Sequence, residues 1–242
     1  IGIAGPTLAY WLQKSGHEVL LVEQAPELRR GGYVIDFWGV GYDIAEQMGV
    51  IPQIRALGYQ VQEVRFVDRQ GHKCGGFAVD TIRRMTNDRL TSVRRSDISA
   101  TIFQALDGKV ETIFGDSVAS IQENGSSVQV GFDHAAARQV DLVIGADGLH
   151  SRVRRLAFGS EAGHEVSLGY HLAAFEIGGY QPRDKLVFVG HSAPGRQISR
   201  MSLREDKTIF LFVFRDEYLP KAEPANDHEV KAALNSIFGD VG

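Results

Sequence analysis

Cysteine is nearly absent from this chain: Cys74 is the only one in 242 residues. A lone thiol excludes an intramolecular disulfide and a cysteine-built zinc cluster, and it fits a reducing, cytoplasmic setting. Long apolar runs are missing too. No window reaches the ~18 uninterrupted apolar residues of a membrane-spanning helix, and the apolar start lacks the basic region and cleavage site of a secretory leader. Basic residues are not in excess, since 26 Lys and Arg stand against 30 acids for a formal net charge of −4. That balance gives no footprint for nucleic acid, and the local cluster Arg152, Arg154, Arg155 suits a solvated helix face or a phosphate site. The eight histidines show neither H-x-H nor H-E-x-x-H spacing, so no metal site is expected. His150 and Ser151 make no nucleophile pair, because neighbours on a helix diverge by ~100° and no elbow motif surrounds them.

What is present is the composition of a globular enzyme, 43% hydrophobic and 23% charged, enough for a sizeable core in one or two domains. The start, Ile1-Gly2-Ile3-Ala4-Gly5-Pro6, carries the last two glycines of a G-x-G-x-x-G turn. Gly2 lets the backbone approach a pyrophosphate, Gly5 permits close helix–strand packing, and the N-terminus of the following helix favours phosphate charge. After that helix, closed by Gly16, Val19 to Glu23 reads as a buried strand ending in an acid at the spacing of a ribose-binding carboxylate. Only Ile1 precedes the turn, where a Rossmann first strand needs ~5 residues, so the chain is expected to be part of a longer protein.

Residues 24–32 form a loop rich in breakers and charge. A helix is predicted near 40–48, strands near 60–68 and 74–80, and an amphipathic helix from Arg95, with Ile98, Ile102, Phe103 and Leu106 on its apolar face. Short strands follow at 110–113, 118–121, 128–132 and 140–144, the middle two joined through the hairpin signal Asn124-Gly125. From Leu168 the pattern is mainly strand-like, with runs at 172–177, 186–189, 197–203 and 208–214, before a helix at 228–238. The expected fold class is α/β: a Rossmann-like βαβ domain with an antiparallel hairpin over 1–160, and a second, mainly β domain over 161–242. Alternation sets Phe210, Phe212 and Phe214 on one face of that second sheet, a pattern that suits a planar ligand or a plain core.

The most specific segment lies far from the glycine turn: the apolar strand Val140 to Ile144 runs into Gly145-Ala146-Asp147-Gly148, followed by Ser151 and Arg154. Taken with Gly2-Ile3-Ala4-Gly5, Glu23 and Arg95-Ser96-Asp97-Ile98, it resembles the class A FAD-dependent aromatic hydroxylases, the para-hydroxybenzoate hydroxylase-like monooxygenases, with tetracycline-inactivating monooxygenases among the relatives. The resemblance covers nearly the whole chain. It implies FAD contacts at Gly2, Ala4, Gly5, Glu23, Arg30, Gly32, Arg95, Asp147 and Gly148, with Asp36 in the loop along the flavin. Glu23 would hold the adenosine ribose, Arg95 or its neighbour Arg94 the phosphate or ribose region, and Asp147-Gly148 both FAD and the pyridine nucleotide. It further implies reduction of FAD by NADPH or NADH, capture of O2 as a C4a-hydroperoxyflavin, and transfer of one oxygen to a small aromatic or polycyclic substrate under the second sheet.

Asp147 alone also reads as a turn residue or helix cap, and Arg95 as a surface charge. No side chain stands out as an acid–base catalyst, which agrees with chemistry carried by the flavin. The family's third signature, Gly-Asp-Ala after a strand, is expected beyond Gly242, since Gly239-Asp240 follows a helix. Two other readings remain open: a flavin-dependent reductase or dehydrogenase of the same fold, and a non-catalytic truncated paralogue. Oligomeric state and substrate identity are not encoded in any motif.

Overall fold

A computed structural model of the chain describes residues 1–29, 31–159, 163–219, 224 and 226–241. In chain order the elements begin α1 (Ala4–Lys14), β1 (Leu20–Glu23), β2 (Val34–Trp38), α2 (Val40–Gln47), α3 (Ile51–Leu57), β3 (Glu63–Val67) and β4 (Lys73–Ala78). Next come α4 (Asp80–Met85), β5 (Leu90–Arg94), α5 (Arg95–Gln104), β6 (Glu111–Phe114), β7 (Val118–Asn124), β8 (Ser127–Phe132) and β9 (Arg138–Val140). The chain continues through α6 (Arg152–Phe158), β10 (Tyr170–Gly178), β11 (Val187–Ala193), β12 (Arg196–Ser202), β13 (Lys207–Arg215) and α7 (Asp227–Phe238). The result is a mixed α/β fold. None of the described helices is long and apolar enough to cross a membrane.

The chain divides into two compact units, one comprising Ile1–Gly31, Asp43–Leu57 and Val93–Val166, the other Gly32–Tyr42, Gly58–Ser92 and Ser167–Gly242. In the first, α1 buries Ala9 against Leu106 and Val110, with Tyr10, Val19, Leu21 and Phe103 packed around them. Gly16 ends that helix at φ +86°, and the N–H of His17 bonds back to the Leu12 carbonyl at 3.0 Å, the wrap a glycine C′ residue permits. Strand β1 then pairs in parallel with β6, Leu20 opposite Glu111 and Val22 opposite Ile113. Its four residues are half-buried rather than fully buried, as β6 is the strand it pairs with.

The hairpin predicted at Asn124-Gly125 is present, with Gly125 at φ +68° and Asn124 opposite Ser127 in the β7–β8 ladder. Asp116 ties this hairpin down. Its carboxylate, 3% exposed, accepts main-chain N–H groups from Ser117, Asp133, His134 and Ala135 at 2.7 to 3.2 Å. Burial works against the charge, but these four bonds hold the carboxyl below its ordinary value. The strand expected over 140–144 is a correction: only Val140 lies in β9, and Leu142 and Ile144 are exposed. An apolar run becomes a strand only where a neighbour takes its N–H and C=O groups, and no described strand pairs beyond Val140.

The second unit is a six-stranded sheet of order β10-β13-β12-β11-β3-β4, antiparallel except where β11 runs parallel to β3. Where the sequence places one boundary near residue 160, segments 32–42 and 58–92 also group with this sheet, because β3 and β4 complete it. One face packs Phe210, Phe212 and Phe214 on Leu234, Ile237 and Phe238 of α7. Each such side chain withdrawn from water contributes roughly 1.5–3 kcal/mol. The Asn226 side chain caps α7 by accepting the Glu229 N–H at 3.1 Å. On the opposite face Met201, Leu203 and Ile209 pack with Tyr59, Val61, Val79 and Leu90. Strands β2 and β5, which pair with one another, and helices α3 and α4 have no counterpart in the sequence expectations.

Candidate functional site

In the first unit the chain brings its separated motifs together at the start of α1. Gly5 sits within the first turn, where an added Cβ would lie 3.7 Å from the Ala146 Cβ and 3.7 Å from Leu21 Cδ2. The helix, β1 and the segment before Asp147 thus approach so closely here that a single methyl group would fill the space between them. Ala4 is the exposed first residue of the same helix. A Cβ on Gly2 would stand 3.4 Å from Arg95 Nη2. Of the two arginines 94 and 95, it is therefore Arg95, the first residue of α5, whose guanidinium lies against the glycine turn.

The electrostatics there favour an anion. The guanidinium of Arg95 supplies positive charge beside the turn. Glu23, at the end of β1, accepts the Ala25 N–H on Oε1 at 2.8 Å, and its other oxygen lies beside the main-chain nitrogen of Ile1. Its carboxylate thus stands beside the glycine turn. Gly32 opens the second unit at φ +93° beside Gly31 at φ +81°, with nothing within 4 Å of either Cβ position; only glycine adopts such a pair without strain. Arg30 lies outside the described residues.

Asp147 is held by its own surroundings. Ser151 Oγ donates to Oδ1, the Val153 N–H reaches Oδ2 at 3.1 Å, and Ser151 in turn accepts the Arg154 N–H at 3.0 Å as the cap of α6. Burial opposes ionisation, but the bond from Ser151 and those from the main chain of Val153 and Arg152 keep the carboxyl below its ordinary value. Arg154 fastens the turn from outside, bonding the Leu149 carbonyl at 2.6 Å and Glu165 at 2.9 Å. The carboxylate is thereby fixed and ionised, while Gly148, at φ +85° with nothing within 4 Å of its Cβ position, leaves the main chain open. A cavity of about 440 Å³ borders this turn, walled by Ile121, Val128, Leu142, Gly148, Ser151 and Val153.

The second unit holds a separate cavity of about 450 Å³, and all of its lining belongs to that unit. It lies on the sheet face opposite the phenylalanine row, against Val64, Phe66, Phe188, Met201, Ile209 and Leu211, with Tyr33 and Trp38 among its other walls. Phe210, Phe212 and Phe214 are thus plain core under α7, and the ligand-sized space is on the other side. Polar groups are few. Asp36 accepts from the buried Ser92 hydroxyl at 2.6 Å, and Arg83 enters from α4. Neither Trp38 nor Arg83 carries a motif in the sequence. Among the described residues no group of three or more His, Cys, Asp or Glu is placed to hold a metal. The terminal Gly239-Asp240 pair is structural, since Asp240 is bound by Arg196 at 2.6 and 2.8 Å and by Arg69.

The sequence matches the FAD binding domain family over residues 2–242. An uncharacterized protein of Mycobacterium tuberculosis is 40% identical over 179 residues, 72% of this chain and 47% of that protein. A flavin-dependent monooxygenase of Legionella longbeachae is 29% identical over 259 residues, covering 100% of this chain and 61% of its own length. The crystal structure of tetracycline destructase Tet(51) superposes with a TM-score of 0.78 at 30% identity, again over 100% of this chain and 61% of that one. The chain therefore spans about half to three fifths of the relatives it matches.

Proposed function

The chain belongs to the FAD binding domain family, and from that premise we propose that it is the greater part of a flavin-dependent monooxygenase using NADPH or NADH. The substrate is a small planar organic molecule, taken up in the cavity on the second unit's sheet. The observation that carries the reading is the convergence of Gly2, Gly5, Arg95 and Ala146 at the N-terminus of α1, from three regions far apart in sequence. Gly5 and Ala146 pack the segments together, while Gly2 leaves backbone open beside the Arg95 cation, an arrangement suited to a phosphate.

The residues present fit FAD. The open Gly2 backbone admits the diphosphate beside the helix N-terminus, and Arg95 supplies its counter-charge. Glu23 stands at the end of β1, the place from which a carboxylate accepts hydrogen bonds from ribose hydroxyls. Asp147, fixed by Ser151 and Val153, would hold the Gly148 main chain in place for the cofactor. When bound, the flavin would supply the redox chemistry, carrying two electrons from the pyridine nucleotide to O2, one oxygen atom of which enters the substrate while the other leaves as water. The protein's part is binding, orientation and exclusion of water, for which the apolar walls of the 450 Å³ cavity are suited.

The test is stoichiometry. Full-length protein given FAD, NADPH and a substrate should consume one O2 for each NADPH oxidised and return a product one oxygen heavier. Oxidation of NADPH without oxygen incorporation would favour a reductase of the same fold.

A further inference from the structure

The cavity in the second unit presents an unusual donor. Arg83, on α4, lines it, and the Arg83 Nη2 donates to Gln60 Oε1 at 2.7 Å and to the Val61 carbonyl at 3.4 Å. Gln60 is itself fixed by donating to Thr91 Oγ1 at 3.4 Å, and Thr91 is 1% exposed. The guanidinium is thus held in place from behind. Its Nη1 has only the carboxylate of Asp88 near it, at 3.8 Å, too far for a charge-assisted hydrogen bond, and among the described residues no acceptor completes that donor. A cation placed on an apolar wall with a donor unsatisfied is a group that a ligand's acceptor completes.

The other arginine bordering the cavity does not compete for that role. Arg200 stands opposite Phe210 in the ladder, so alternation sends its side chain to the far face, where it bonds Asp184 at 2.7 Å and lies over Tyr180. Asp36, the cavity's carboxylate, is engaged by Ser92 and makes no ion pair with Arg83 among the described residues. The walls around these groups are Phe66, Phe77, Phe188 and Trp38, broad and apolar.

We propose that Arg83 is the specificity-determining residue of this cavity, binding an anionic oxygen, a carboxylate or enolate, carried on a planar apolar ligand. Neutral isosteres of the same shape bind less well. That this ligand is the substrate rests on the monooxygenase reading; that the cavity prefers the anion rests on Arg83 alone.

The probes are naphthoate and naphthamide, equal in shape and different in charge, titrated calorimetrically into the full-length protein. Naphthoate should bind at least about tenfold tighter than naphthamide, the margin of one charge-assisted hydrogen bond. In Arg83→Gln the two affinities should come within about twofold of each other, with naphthamide binding unchanged. Should that variant fail to fold, Arg83→Lys decides, because lysine lacks the guanidinium fork and the ratio should fall severalfold. An equal ratio in the wild type, a ratio that survives Arg83→Gln, or failure of both probes to bind overturns the proposal. Flavin absorbance of the same samples separates the two readings. A protein that will not take up FAD yet prefers naphthoate refutes the monooxygenase and leaves the role of Arg83 standing.

Discussion

Gly5 and Ala146, separated by most of the first unit's sequence, lie so close that a methyl group on Gly5 would touch the Ala146 Cβ at 3.7 Å. That contact joins the glycine turn to the Asp147-Gly148 segment, and it has a measurable limit. A single methyl at 3.7 Å is ordinary van der Waals contact, and alanine is the better helix former by about 1 kcal/mol. Gly5→Ala should therefore leave the urea midpoint unchanged or slightly raised. Gly5→Leu must displace Ala146 or Leu21 and should cost about 1–3 kcal/mol, with weaker FAD retention.

Arg95→Ala removes the cation lying against Gly2. Equilibrium binding of FAD to the full-length protein should weaken by about tenfold or more, with little change in thermal midpoint. Asp147→Ala should lower both flavin retention and the rate of NADPH-driven flavin reduction, since it frees the turn that carries Gly148.

Ser151→Ala removes both the cap of α6 and the hydroxyl that bonds Asp147. A loss of about 1 kcal/mol is expected from the cap. The Asp147 carboxyl, deprived of one bond to its charged form, should titrate at higher pH, which NMR of the carboxyl carbon would detect.

Asp184 bonds both Arg65 and Arg200 at 2.7 to 2.8 Å. Burial raises its pKa, but the two guanidinium groups outweigh burial and hold it below the ordinary 3.8. A carboxyl depressed in the folded state contributes stability that is present above its unfolded pKa and lost as pH falls through the folded value. Asp184→Asn should then be less stable than wild type by about 1–3 kcal/mol at neutral pH. Denaturant titrations should show that difference shrinking below pH 3.8 as the wild-type carboxyl protonates.

Local signals in the sequence carried much of this architecture. The α1 helix follows the glycine turn and stops at Gly16, and Asn124-Gly125 turns a hairpin by its own backbone preference. The glycine turn and Arg95 were likewise legible as residues, although only the folded chain shows that Arg95 rather than Arg94 meets Gly2. Other features were hidden for physical reasons. Strand β5, Leu-Thr-Ser-Val-Arg, is buried along four successive residues, two of them polar, so it shows no alternation to read. The run Leu142 to Ile144 looks like a strand but lacks a partner for its backbone among the described residues. Which face of the second sheet carries a cavity depends on where α7 packs, and alternation alone leaves both faces equivalent. Arg83 comes from a six-residue helix between strands, with no motif around it.

The central claim is that this fold holds a flavin and uses it on oxygen, and an absorbance spectrum of the full-length protein incubated with FAD tests it most directly. The expected result after removal of free cofactor is a yellow protein, bleached by NADPH without air and restored by O2. A colourless protein, with a spectrum indifferent to added FAD, would contradict the account.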